Sequence, residues 1–263
     1  MADSYPIDVH NLSYSYDNTH IVLNNISFTI PEKSIITILG KNGVGKTTLL
    51  NCFLGLIQNY SGKIQVYGKN LEDYSRKDLA KMIGLVPQLG MTTFDYTVEE
   101  FVLMGCASQI GYLAVPHKEA SFKIDQILET LQISKLKHRM VNELSGGERQ
   151  LVYIARTLVQ NPKIIVMDEP TSALDFGHSY SIMDLIVQLR DMGYTIIMTC
   201  HNPNYPFILH DYSIAMFEDK SIIFGKSEEI LSSSLLSSLY GISIKRVFIP
   251  EFSQYVCLKD TAL

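Results

Sequence analysis

Apolar and polar residues follow a strand-like pattern early in the chain. Leu23, Ile26, Phe28 and Ile30 mark a strand closed by Pro31, and Ser34 to Leu39 forms a second, more continuously apolar run. A glycine-rich turn follows, and a helical pattern then runs from Gly45 to about Gly55. Ser61-Gly62 interrupts the pattern. Lys63 to Tyr67 alternates as an edge strand does, and Ile83 to Val86 predicts a short buried strand stopped at Pro87. Further along, Lys163 to Met167 and Thr195 to Thr199 predict buried strands. Ile182, Leu185, Ile186 and Leu189 between them recur at helical spacing up to Gly193. Tyr212 to Phe217 and Ser221 to Phe224 predict a hairpin around Asp219-Lys220.

The middle of the chain has a different period. Val98 to Met104 and Ile124 to Leu136 read as helical, with Ile124, Ile127, Leu128 and Leu131 on one face. Gly111 to His117 reads as a loop between them. A helix-rich stretch at about 90–160 therefore interrupts a chain in which strands alternate with helices, the pattern of a mainly parallel sheet covered on its faces. There is no internal repeat and no low-complexity linker. The tail after Ile230 is rich in serine and too short to form a regulatory domain.

Composition narrows the class. With 46% hydrophobic and 19% charged residues, the 263-residue chain reads as globular. Its formal net charge is -5 and it has no long basic stretch, so nucleic acid is not an expected partner. Cys52, Cys106, Cys200 and Cys257 lie at neither metal-ligand nor disulfide-framework spacing, and reduced thiols of a cytoplasmic protein are expected. Met1 to His10 lacks the apolar core of a secretory signal. No apolar run approaches the ~20 residues of a membrane-spanning helix, so work at a membrane would require a partner.

The candidate chemistry begins at Gly40-Lys41-Asn42-Gly43-Val44-Gly45-Lys46-Thr47, which fits G-x-x-x-x-G-K-[ST] between a buried strand and a helix. Glycines there let successive backbone N–H groups turn inward around phosphate oxygens, and the following helix offers its positive N-terminus to the same anion. Lys46 would reach the β- and γ-phosphates, and the Thr47 hydroxyl would ligate Mg²⁺. Ile164 to Met167 is an apolar strand ending in Asp168-Glu169. Carboxylates at the carboxyl end of such a strand sit where α/β sheets bind ligands, although Asp-Glu-Pro is also a fair strand-ending turn. Strand alternation would aim Asp168 at the metal and Glu169 at a different point, such as a water beyond the γ-phosphate. His201 ends the strand at Thr199-Cys200, placed to contact a γ-phosphate, and Gln88 ends another strand with an amide able to ligate Mg²⁺ or orient water.

A second anion site lies far away in sequence. Leu144-Ser145-Gly146-Gly147-Glu148-Arg149-Gln150 opens a helix that runs to about Val159. Ser145 and Glu148 form a capping box, which leaves the two glycines unexplained. Each costs about 0.5–1 kcal/mol against alanine in a helix, so something is expected to approach that backbone closely.

Taken together these motifs resemble the ATP-binding-cassette ATPase family over essentially the whole chain, in order and in spacing. Ser172-Ala173-Leu174-Asp175 matches the D-loop, Gln88 the Q-loop, His201 the switch histidine, and Tyr16 the aromatic that stacks on adenine. Tyr14 is one alternation away. The resemblance implies an α/β P-loop NTPase (RecA-like) core with a mainly parallel sheet, an antiparallel β subdomain and an inserted α-helical subdomain. Residues 1–263 would form a single nucleotide-binding domain, with the helical subdomain at about 90–160 and a short tail at about 226–263. It also implies a head-to-tail dimer, each ATP held by Gly40 to Thr48 of one copy and by Ser145, Gly146, Gly147 and Glu148 of the other. Glu169 would polarise water, and His201 would hold the γ-phosphate. Thr47, Gln88 and Asp168 would serve Mg²⁺, and Asp175 would link the two sites.

The chain has one of each motif and no coiled-coil insertion, which favours the ATPase subunit of a transporter over a soluble protein acting on nucleic acid or ribosomes. Arg76 to Gln88 and Phe94 to Gly105 are similar to the ATPases of importers for iron-siderophore, haem, cobalamin and related chelates. Cys106 departs from that group, where arginine is commoner. An exporter ATPase is the alternative among transporters. The expected partners are a second ATPase copy, membrane permease subunits and a substrate-binding lipoprotein, with the chain at the cytoplasmic face of the membrane. Met91, Phe94 and Tyr96 either dock a permease helix or pack the helical insertion. The cargo is not legible, since such a subunit never touches it.

Overall fold

The computed structural model describes residues 5–17, 19–89, 95–108 and 119–261. The amino-terminal half runs β1 (Ile7–Ser15), β2 (Ile21–Ile30), β3 (Ile35–Leu39), α1 (Lys46–Phe53), β4 (Ser61–Val66), β5 (Lys69–Asn70), α2 (Arg76–Met82) and β6 (Ile83–Val86). Among the described residues, α3 (Val98–Leu103), α4 (Glu119–Thr130) and α5 (Gly146–Leu158) follow. The α/β alternation then resumes with β7 (Ile164–Met167), α6 (Phe176–Asp191), β8 (Thr195–Thr199), α7 (Tyr205–Leu209), β9 (Tyr212–Met216) and β10 (Ile222–Lys226). The chain closes with α8 (Ser227–Ile230), α9 (Ser233–Tyr240), β11 (Ile244–Ile249) and β12 (Gln254–Lys259).

The central sheet has the order β10-β9-β3-β8-β7-β6, and all its pairs are parallel except the β9–β10 hairpin. Every residue of β3, β7 and β8 is buried, as expected of strands covered on both faces. Their side chains divide between two cores. Ile35, Leu39, Ile165, Met167, Ile196 and Met198 face the helices α3 to α6. Ile36, Ile38, Ile164, Val166 and Ile197 face α1 and a smaller antiparallel sheet of order β2-β1-β4-β5. The period-two alternation of a strand thus ties both layers to one sheet.

One sequence-based expectation is corrected. The helical period from Ile124 continues to Leu136, but α4 stops at Thr130. Gln132 adopts φ 59, and the Ile133 N–H returns to the Leu128 carbonyl at 2.8 Å, so a left-handed cap ends the helix. Leu136 then joins the same core from a separate single turn, which explains why the period persisted. The Ser-rich tail packs on the body, with Leu231, Leu236, Leu239, Ile244 and Cys257 buried in the helical core. The predicted loop at Gly111 to His117 lies outside the described residues.

All four cysteines are buried and unpaired, and burial pushes the thiols of Cys52 and Cys200 up to about 12, so neither is a ready nucleophile. The helical layer is held close to α5 at Gly105, where an added Cβ would fall on the carbonyl oxygen of Arg156. Gly105→Ala should therefore cost about 1–3 kcal/mol, because a backbone atom cannot turn aside as a side chain can. A melting temperature equal to the wild type would contradict this packing.

Candidate functional site

The strand order places four loops side by side at the carboxyl ends of β3, β8, β7 and β6, carrying respectively the phosphate loop, His201, Asp168-Glu169 and Gln88. Between β3 and α1 the backbone takes φ 77 at Gly43 and φ 120 at Gly45, a region glycine enters without a Cβ penalty. A Cβ at Gly43 would meet nothing within 4 Å, so the turn opens onto free space there.

Lys46 is only 6% exposed, and its ammonium donates to the carbonyl oxygens of Gly40 at 2.8 Å and Lys41 at 3.0 Å. Burial lowers its pKa, opposed by the carboxylates of Glu169 and Asp168 and by the Cys200 thiol. A buried ammonium that nearby carboxylates keep charged, and that rests on two carbonyls of its own loop, can turn its donors to a phosphate oxygen instead.

Behind it, Asp168 and Glu169 share one organiser. The hydroxyl of Thr199, wholly buried, donates to Asp168 Oδ1 at 2.7 Å and accepts the Glu169 backbone N–H at 2.8 Å. Thr47 Oγ1 donates to Asp168 Oδ2 at 3.3 Å. Strand alternation does not set the direction of Glu169, because β7 has already ended and Glu169 adopts φ 48. That left-handed backbone costs of order 1 kcal/mol for a non-glycine residue, and here it swings the carboxylate into the open space. The carboxylate accepts from Gln88 Nε2 at 3.1 Å and pairs with His201 Nε2. Gln88 Nε2 also reaches Ser172 Oγ at 3.3 Å.

These groups line one open cavity of about 370 Å³, shared by Asn42, Gly43, Gly45, Lys46, Thr47, Thr48, Gln88, Glu169 and His201, with Tyr16 and Val22 at its edge. Tyr16 is 64% exposed, and its ring stands edge-on to Tyr14 at 4.9 Å. Its hydroxyl is 3.2 Å from Thr48 Oγ1, which holds a bare aromatic face at the mouth. The cavity can hold a phosphate chain at one end and a planar base at the other. The facing oxygens of Thr47 and Asp168 are hard donors that fit Mg²⁺, which needs few protein ligands when phosphates and water supply the rest.

The remaining phosphate-loop residues lie elsewhere. Val44 is buried in the core, Gly40 lies under the Met216 carbonyl, and Lys41 pairs with Glu218 at 3.1 Å. The signature is also placed apart, for none of Ser145, Gly146, Gly147 and Glu148 lines the cavity. Ser145 and Glu148 complete the capping box of α5, and the Ser145 N–H and then its hydroxyl hold the Glu148 carboxyl below the usual range. An added Cβ at Gly147 would strike the His178 ring, and one at Gly146 would come within 3.2 Å of the Ala173 carbonyl. So the close approach those glycines permit is made, in part, by the same chain. Asp175 caps α6 by accepting the His178 N–H at 2.9 Å and its Nδ1 at 2.7 Å.

Sequence reasoning missed Thr199, Val22 and His178. For Thr199 a signal existed: a polar residue ending the apolar run Thr195–Thr199, just before His201.

Comparison with known proteins decides the family. A family model described as ABC transporter matches residues 23–172, more than half of the chain. The chain belongs to the ABC transporter ATPase family. An uncharacterized ABC transporter ATP-binding protein of Haemophilus influenzae is 35% identical over 90% of each chain. A probable iron chelatin transport ATP-binding protein of Helicobacter pylori is 34% identical over 92% of this ATPase and 95% of the relative. Among solved structures, one described as an inward-facing metal-chelate type ABC transporter superposes with a TM-score of 0.85. It is 31% identical, with 98% of this chain and 99% of that chain covered. The matched segment holds the phosphate loop, the signature and the acidic pair of this ABC ATPase, whereas His201 and the tail lie beyond it. Among the described residues, no helix is long and apolar enough to cross a membrane.

Proposed function

We propose that this ATPase is the motor of an importer for an iron-siderophore, haem, cobalamin or similar metal chelate, working as a head-to-tail dimer. The observation that carries the chemistry is that Lys46, Thr47, Gln88, Glu169 and His201 meet in one cavity while the signature cap opens outside it. Among the described residues, none of the signature lines this cavity, and in this reading a second copy supplies that wall. The free amides at the start of α5 suit a phosphate brought by a second copy.

In this reading Tyr16 stacks on adenine, and Asn42 to Thr48 and Lys46 hold the phosphates. Thr47, Asp168 and Gln88 would hold Mg²⁺, which would neutralise charge on the β- and γ-phosphates. Glu169 accepts the proton of the attacking water, and His201, within hydrogen-bonding reach of Glu169, contacts the γ-phosphate. Asp175, on the helix that supports the signature glycines, couples the two sites. The tail, buried in the same core, belongs to this single catalytic unit.

Work done here must pass to a permease. A second cavity, of about 550 Å³, is lined by Leu56, Leu71, Tyr74, Leu79, Pro87 and Arg156, among others. Pro87 directly precedes Gln88, so a permease segment seated there would press on the residue that holds Glu169. Of the three residues read as either docking the permease or packing the helical insertion, Met91 and Phe94 lie outside the described residues, and Tyr96 packs on the helical core. Leu56 is 68% exposed at the rim of the groove. Leu56→Glu should therefore abolish co-purification with the permease while leaving ATP binding within about twofold of the wild type, since Leu56 does not line the nucleotide cavity. Unchanged assembly would remove the groove from the interface.

The import reading, which also places the chain at the cytoplasmic face of the membrane beside a substrate-binding lipoprotein, draws on the chelate-transport names of the relatives. The test is ATP-driven transport in proteoliposomes of the co-purified complex, with a ferric siderophore and its binding protein supplied on the side opposite ATP. Accumulation on the ATP side supports import, and ATP-driven loss of siderophore loaded in a second arm on the ATP side, with no accumulation in the first, overturns it.

A further inference from the structure

The segment after β10 reaches the catalytic loops directly. Leu236 and Leu239 anchor α9 in the helical core, and the helix ends at Tyr240 and Gly241. The Tyr240 hydroxyl donates to the backbone carbonyl of His201 at 3.3 Å. Strand β12 grips the same loop three residues on, where the Cys257 N–H donates to Asn204 Oδ1 at 2.6 Å. Inside the loop, the Asn204 N–H donates to Asn202 Oδ1 at 3.0 Å. Gly241 meanwhile lies beside the phosphate loop, and an added Cβ there would stand 3.2 Å from Lys41 Nζ. One short segment therefore touches both the loop carrying the switch histidine and the loop that holds the phosphates.

The geometry suits a brace. His201 follows β8 by two residues and has no regular strand partner of its own to fix its carbonyl. Its imidazole must nevertheless be aimed at Glu169. A carbonyl held by an aromatic hydroxyl on a packed helix sets the peptide plane, and the peptide plane sets the direction in which the side chain leaves the backbone. Burial, with the thiols of Cys200 and Cys257 nearby, pushes the Tyr240 phenol up, so its proton stays in place to donate.

We propose that Tyr240 is a positioning residue for ATP hydrolysis, fixing the backbone of His201 so that its imidazole faces Glu169 and the nucleotide. The proposal rests on the reading of His201 as a γ-phosphate contact. It gives the tail a catalytic role beyond packing.

The test uses the full chain with Mg-ATP under single-turnover conditions, where slow residual cleavage is still counted. Tyr240→Phe keeps the ring and removes only the donor. The cleavage rate should fall about threefold to tenfold, the scale of one hydrogen bond acting on the barrier, with ATP affinity within about twofold. In a His201→Ala background the same substitution should change nothing further, because its effect passes through the imidazole. A structural role would instead lower both backgrounds by the same factor, and that result, or an unaltered rate for Tyr240→Phe alone, overturns the proposal. Normal cleavage by His201→Ala itself would overturn the underlying reading of the switch histidine, and the role of Tyr240 with it.

Discussion

A Glu169→Gln chain should bind ATP as tightly as the wild type and hydrolyse it about a hundredfold to ten-thousandfold more slowly, the usual worth of a positioned general base. The amide keeps the size of the side chain and can still accept from Gln88, but it cannot take a proton from water. The left-handed backbone at Glu169 and its anchor on Thr199 are untouched, so the fold is expected to melt normally. Phosphate release and calorimetric ATP binding, measured on the same preparation, separate the two effects. If cleavage reopens the proposed dimer, the variant should also accumulate as an ATP-bound dimer in light scattering. Wild-type phosphate release by this variant would remove Glu169 from the mechanism.

Ser145→Arg should reduce turnover to a similar extent for a different reason. Ser145 lies outside the cavity of its own chain, so ATP affinity of the isolated copy should stay within about twofold. An arginine at the cap places a long side chain where the second copy's phosphates are expected, and the dimer cannot close. The substitution also removes a capping box, worth about 1 kcal/mol of stability. Ser145→Ala separates the terms: it loses the same cap without adding bulk. Ser145→Ala should melt like Ser145→Arg yet retain most of its turnover and still dimerise on ATP in the Glu169→Gln background. If Ser145→Arg instead loses nucleotide affinity and turnover together, the signature does not act in trans.

Part of the site was open to sequence reasoning because its chemistry is local. A phosphate nest needs glycines at fixed offsets beside Lys46, and a capping box needs Ser145 and Glu148 three residues apart. The apolar runs of β3, β7 and β8 are continuous because both faces are buried, so the sheet and the strand-end positions of Asp168 and His201 could be read directly. Locally periodic signals were less dependable at their ends. The period around Ile124 runs past the true stop at Thr130, since Leu136 meets the same core by a different route.

What the sequence by itself determined was therefore which residues are the candidates for the chemistry: Lys46, Thr47, Asp168, Glu169, His201 and the capped signature helix, each marked by neighbours within one turn or one strand. The tertiary structure decided how they meet. Gln88 reaches Glu169, Thr199 joins both acids, His178 lies against Gly147, and Tyr240 holds the carbonyl of His201. These contacts join residues that are separate along the chain, and strand order and two shared cores bring them together. No local period records such a contact. The aim of Glu169 is likewise set by a left-handed backbone held in place by Thr199, a neighbour supplied by the adjacent strand of the sheet.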